Sequence, residues 1–137
     1  MVRQEVLHTR LEKLVEYQKI LKGIQKYPLT EFMANPLLHG SAERYLHLSI
    51  EAVLDISHHL IRDLKLRSPN DYADSFHILF EAKVISKAFS EKLARMARFR
   101  NILVHDYLKL DRKQIHSHLK DHLTDFAHFA KQVKRFL

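Results

Sequence analysis

A chain of 137 residues is long enough to bury one hydrophobic core and short for two, so a single domain spanning residues 1–137 is expected. With 46% hydrophobic and 28% charged residues it reads as neither disordered nor membrane-embedded, and the absence of cysteine excludes disulfides, thiol nucleophiles and cysteine-ligated zinc. The 23 Lys and Arg against 16 Asp and Glu give +7 before eleven histidines are counted, which favours a polyanionic partner, nucleic acid or an acidic protein, without choosing between them.

Two glycines and three prolines are too few for a β-rich chain with frequent tight turns, and helix formers dominate, so the expected class is all-α. The opening Met1-Val2-Arg3-Gln4-Glu5 starts a charged amphipathic helix, not a signal peptide, and no run of about 18 apolar residues occurs. A cytoplasmic protein without membrane association is expected.

In chain order, residues 2–25 read as a first helix, with Val6/Leu7, Leu11, Leu14/Val15, Ile20/Leu21 and Ile24 at helical spacing and Tyr27-Pro28 as its stop. Thr30 is the expected cap of a short helix ending near Asn35, and Pro36 suits the first turn of the next. The longest helix is expected from Leu37 or Ser41 to Leu66. At about 100° per residue, Leu46, Ile50, Val53, Leu54, Ile56, Leu60, Ile61 and Leu64 fall on one arc, and Arg44, His47, Glu51, Asp55, His58 and Arg62 line the opposite face. That polar stripe reads as a solvated face of charge pairs or as the wall of a cleft or symmetric interface.

Residues 67–71 form a break in which Asn70 or Asp71 can cap a fourth helix over 72–83, burying Phe76, Leu79, Phe80 and Tyr72. Ser86 or Ser90 can cap a fifth, with Phe89, Leu93, Met96, Ala97 and Ile102-Leu103 inward and Lys92, Arg95 and Arg98 outward. Asp111 caps the last helix, whose stripe of Ile115, Leu119, Leu123, Phe126, Phe129, Val133 and Phe136 should close the bundle against the first and long helices.

Three groups of residues carry candidate chemistry. His118 and His122 in the last helix have the i,i+4 spacing at which two imidazoles reach one metal, but no metalloprotease glutamate stands beside them. His116 and His128 extend a run that reads as a solvated face, so no metal site is expected. Lys131-Gln132-Val133-Lys134-Arg135 is a basic end that adds affinity for phosphate without specificity. In Arg100-Asn101-Ile102-Leu103-Val104-His105-Asp106-Tyr107, Arg100 and His105 can serve as anion clamp and general acid/base. From residue types alone, Arg100 can equally pair with a neighbouring carboxylate and His105 can satisfy carbonyls at a helix end.

That octet, with Phe99 before it, resembles the Arg-x4-His-x-Tyr signature of HepT-like proteins in the HEPN superfamily, and the similarity extends to residues 42–56 and 69–76, nearly the whole chain. The resemblance implies a compact antiparallel bundle of about five main helices plus a short one, forming a two-fold dimer. It also implies a metal-independent endoribonuclease without cofactor, the toxin of a toxin–antitoxin pair, acting on tRNA or mRNA. A minimal nucleotidyltransferase antitoxin would silence it by transferring AMP to Tyr107. Carried over by position, Arg100 and His105 are catalytic.

Asn101, Glu51 and Asp55 are expected to support that pair, and Arg44, His58 and Arg62 to meet RNA phosphates. One Arg and one His per chain make a thin catalytic set, and a two-fold interface along this segment would bring two of each together. The rival readings are a non-catalytic module that only docks a nucleotidyltransferase, a metal-dependent hydrolase built on the last helix's histidines, and a plain structural dimer.

Overall fold

The computed structural model describes residues 4–105, 108 and 110–136, and the regular structure among them is entirely helical. Six helices follow in order: α1 (Gln4–Gln25), α2 (Leu29–Ala34), α3 (Pro36–Asp63), α4 (Tyr72–Glu81), α5 (Lys87–His105) and α6 (Arg112–Lys134). No helix among the described residues is long and apolar enough to cross a membrane.

Their ends are written in local chemistry. Asn35 caps α3 by accepting from the Leu37 amide at 3.0 Å, with Pro36 in the first turn, Asp71 caps α4, and Asp111 caps α6. Ser86 accepts from the Phe89 amide at 3.2 Å, which makes it the cap of α5 and leaves Ser90 one turn inside. Thr30 is not a cap: α2 starts at Leu29 after Pro28, whose fixed φ suits a helix entrance.

The third and fourth helices stop short of Leu66 and Lys83, and for one reason. In each, the chain turns left-handed at a lysine, Lys65 at φ 56° and Lys83 at φ 63°. The amide beyond reaches back five residues, Leu66 to the Ile61 carbonyl and Val84 to the Leu79 carbonyl, both at 2.9 Å.

Packing centres on α3, which touches all five other helices. Its arc of Leu46, Ile50, Val53, Leu54, Ile56, Leu60 and Ile61 is buried, joined by Leu7, Leu11, Leu14 and Leu21 of α1 and by Phe126 and Phe129 of α6. The fourth helix lies on α5 and buries Phe76, Ile78 and Leu79, whereas Tyr72 stays 41% exposed.

The histidines of α6 are not a uniform solvated face. His116 is buried, its Nε2 3.1 Å from the Tyr27 carbonyl and its ring 5.1 Å from that of Phe32. His118 stacks on Phe99 with ring centres 4.0 Å apart, and His128 meets Phe89 edge-on at 4.3 Å. Burial, and then the neighbouring His122, holds the His118 imidazole down to about 4.

Two outcomes follow for stability. His118 stays neutral in the folded protein down to about pH 4 while the unfolded chain protonates it near 6.5, so the unfolded state binds the extra proton between those values. Its contribution is complete above that window and is lost as pH falls through it, on the order of 3 kcal/mol. Urea melts at pH 7 and pH 4.5, compared with those of His118→Phe, read this directly, because the variant loses the His118 share of the pH dependence. Lys83→Gly, which removes the Cβ penalty of a left-handed residue, should stabilise by about 1 kcal/mol in the same assay.

Candidate active site

The end of α5 carries Arg100, Asn101 and His105, and two other elements meet it there. From α3, Glu51 Oε1 accepts a hydrogen bond from Arg100 Nε at 2.5 Å. From the start of α4, the Tyr72 ring lies under the Arg100 guanidinium, 5.1 Å from ring centre to carbon. Arg100 Nη1 also donates to Asn101 Oδ1 at 3.3 Å. The Arg100 side chain is 13% exposed, so most of its length is out of water and its direction is set by these contacts.

Glu51 does a second job. It stands 3.5 Å from His47 Nε2, one turn earlier on α3, so a single carboxylate faces both a guanidinium and an imidazole. Beside this cluster a cavity of about 420 Å³ opens between α4 and α5, with Tyr72, Arg98, Arg100, Asn101 and His105 in its wall. His105 is exposed there. The cavity therefore collects the held Arg100 guanidinium, the exposed His105 imidazole and the Asn101 amide, with Arg98 and the Asp71 carboxylate also in its wall, and its cations and imidazole suit an anionic ligand that must exchange a proton.

The remaining polar stripe of α3 divides. Asp55 pairs with Arg10 of α1 and stands 3.6 Å from His59 Nε2; its described contacts do not include Arg100 or His105. His58 is half-buried between Ser75 Oγ, 3.0 Å from its Nε2, and the Tyr72 ring, 5.9 Å away. Burial pushes its imidazole below the ordinary histidine range against the opposing pull of Asp55 and Glu51. A neutral His58 behind Tyr72 braces that ring from α3. Arg44 is exposed, and Arg62 Nη2 lies 2.6 Å from His59 Nδ1. Tyr107 lies outside the described residues.

Two residues at the cavity carried no sequence signal for this place. Tyr72 reads as one more aromatic of α4's apolar side, and its pairing with Arg100 spans 28 positions. Arg98 sits two residues before Arg100, on the opposite side of an ideal helix, and joins the wall because the cavity wraps around α5. The His118 and His122 rings stand 4.8 Å apart, with His122 Nδ1 3.3 Å from Asp125, but no group of three potential metal ligands converges among the described residues.

Comparison with known proteins addresses the whole chain. The family model described as ribonuclease HepT-like matches residues 8–133. The mRNA nuclease HepT of Shewanella oneidensis is 30% identical over 126 residues, covering 90% of this chain and 95% of that protein. The tRNA nuclease HepT of Aphanizomenon flos-aquae is 24% identical over 132 residues, covering 96% of this chain and 90% of that one. A solved structure of the tri-AMPylated HEPN toxin of Shewanella oneidensis with an MNT antitoxin superimposes with a TM-score of 0.87 at 27% identity, covering 95% of this chain and 97% of that one.

Proposed function

Since the chain belongs to the HepT-like ribonuclease family, we propose that it is a metal-independent endoribonuclease and the toxin of a toxin–antitoxin pair. The observation that carries this reading is the cavity at the end of α5, where Arg100, held by Glu51 and Tyr72, shares a wall with His105 and Asn101. The names of the relatives as mRNA and tRNA nucleases support RNA as the substrate.

In the proposed step, a ribose 2′-oxygen attacks the adjacent phosphorus and gives up its proton to a base. The bond from phosphorus to the 5′-oxygen breaks, and that oxygen takes a proton from an acid, which leaves a 2′,3′-cyclic phosphate and a 5′-hydroxyl. His105 is proposed for proton transfer and Arg100 for the charge that builds on the phosphorane oxygens. Base and acid must both act on one phosphodiester, and a second copy of the pair from a two-fold-related protomer supplies the missing partner, so the dimer is proposed as the active unit. Asn101 would steady Arg100, and the exposed Arg44 and Arg62 of α3 would face the RNA backbone, whereas His58 is taken up behind Tyr72 and Asp55 by Arg10.

Regulation is proposed at Tyr107. A minimal nucleotidyltransferase would catalyse attack of the Tyr107 hydroxyl oxygen on the α-phosphorus of ATP, with pyrophosphate leaving. The AMP would place bulk and negative charge where RNA phosphate must enter. A nuclease acting on tRNA or mRNA meets its substrate in the cytoplasm, and we place the protein there.

Incubation of the purified protein with tRNA or mRNA in EDTA, with analysis of product ends, tests the reading. Arg100→Ala and His105→Ala should each lower cleavage by about 10²–10⁴. Cleavage that survives His105→Ala would overturn the assignment of proton transfer to His105, and no cleavage by the native protein would favour a module that only docks the nucleotidyltransferase. Glu51→Gln keeps the shape but loses the charge opposite Arg100, so kcat should fall by about tenfold or more with KM little changed. Tyr107→Phe should cleave normally and accept no label from radioactive ATP in the presence of the nucleotidyltransferase.

A further inference from the structure

We infer that the groove between α5 and α6 binds single-stranded RNA flanking the scissile phosphate, so that substrate is held well beyond the catalytic cavity. This inference rests on the nuclease reading above. The groove opens next to that cavity with a volume of about 420 Å³, and Arg98 lines both. It continues along α5 through a pocket of about 140 Å³ bounded by Lys92, Arg95 and Met96, then one of about 510 Å³ that also takes Lys92.

Lys92, Arg95 and Arg98 stand three residues apart and rise about 9 Å along α5 from first to last. All three are exposed, and none forms an ion pair with another described residue. A row of cations without carboxylate partners among the described residues, rising toward the proposed phosphodiester-cleaving site, matches the charge of a nucleic-acid backbone. Asp125 is the one carboxylate among the lining residues, and it is engaged by His122 at 3.3 Å.

The floor has a different character. Ile102 and the His118 ring stacked on the buried Phe99 make it apolar, with Gln114 and Ser117 as polar groups on the α6 side. The partly exposed His118 ring in this apolar floor, below a cationic rim, suits the face of an unpaired base with the backbone outside, and binds it without strict sequence preference.

The test uses His105→Ala protein, so that binding is read without cleavage, and a fluorescein-labelled unpaired RNA of about 20 nucleotides. Anisotropy titrations at several salt concentrations compare it with versions that also carry Lys92→Glu and Arg95→Glu, or Lys92→Arg and Arg95→Lys. Arg98 is left intact because it also lines the catalytic cavity. The charge-reversed protein should bind about tenfold or more weakly, with the slope of log K against log salt reduced by about 1.4, two phosphate contacts at 0.7 each. The charge-conserving protein should bind as the parent does.

Unchanged affinity on charge reversal would overturn the inference, as would weakened binding in the charge-conserving protein. A lower assembly mass by light scattering on charge reversal would overturn the inference and assign the groove to a second copy instead. Failure of the nuclease reading shows up separately, as absence of His105-dependent cleavage, and leaves this binding measurement intact.

Discussion

Everything else in the molecule is placed by the burial of one face of α3. This helix touches each of the other five, and its apolar arc from Leu46 to Ile61 lies in the interior. Side chains on a helix keep fixed angles to one another, so once that arc is buried the opposite stripe has no freedom of direction. Ser49 and Ser57, the buried hydroxyls on the same helix, donate to the Tyr45 and Val53 carbonyls one turn back at 2.7 and 2.8 Å, so they enter the core without an unmet donor. Glu51 is thereby directed toward α5 and Asp55 toward α1.

That division gives the stripe two separate tasks. Asp55 ties α3 to Arg10 of α1, a contact far from the cavity in function. Glu51 takes the Arg100 Nε, and Tyr72 lies against the guanidinium, so the arginine is oriented from two directions. An arginine this far from water loses much of its hydration, and the nearby carboxylate and ring offset that loss. Because Nε is taken by Glu51 and Nη1 by Asn101, Nη2 has no partner among the described residues, and a planar guanidinium held at two nitrogens presents the third in a fixed direction.

The histidines show how one residue type takes its character from its surroundings. His116 is a buried hydrogen-bonding group, His118 a neutral stacking surface for Phe99, His58 a brace behind Tyr72, and His105 an exposed imidazole at a cavity mouth. Burial removes water from the charged form of an imidazole, which is why His118 and His58 are shifted toward neutrality. Chain spacing alone offered His118 and His122 as a metal pair, but stacking on Phe99 gives the first of them a structural role.

Much of the fold was readable from the chain because its signals are local. Helical periodicity, the caps Asp71 and Asp111, and the stop at Pro28 all act within four residues, and the six helices stand within a few residues of where those signals put them. The Arg-x4-His-x-Tyr octet likewise lies on one short segment, and the family it pointed to is the one the chain matches. Pairings between distant segments had no such signal. Glu51 and Asp55 were both expected beside Arg100 and His105, and only packing gives Arg100 to Glu51, 49 positions away, and Arg10 to Asp55, 45 away. Tyr72 reaches Arg100 only because α4 lies on α5, and the lysines that end α3 and α4 took a left-handed turn no composition rule assigns to them. Local pattern determined which face of each helix is apolar. Which polar residues meet across the bundle was decided by packing, since several carboxylates and cations of similar chemistry lie on the same stripe and only the seating of α3 against α1, α4 and α5 separates them.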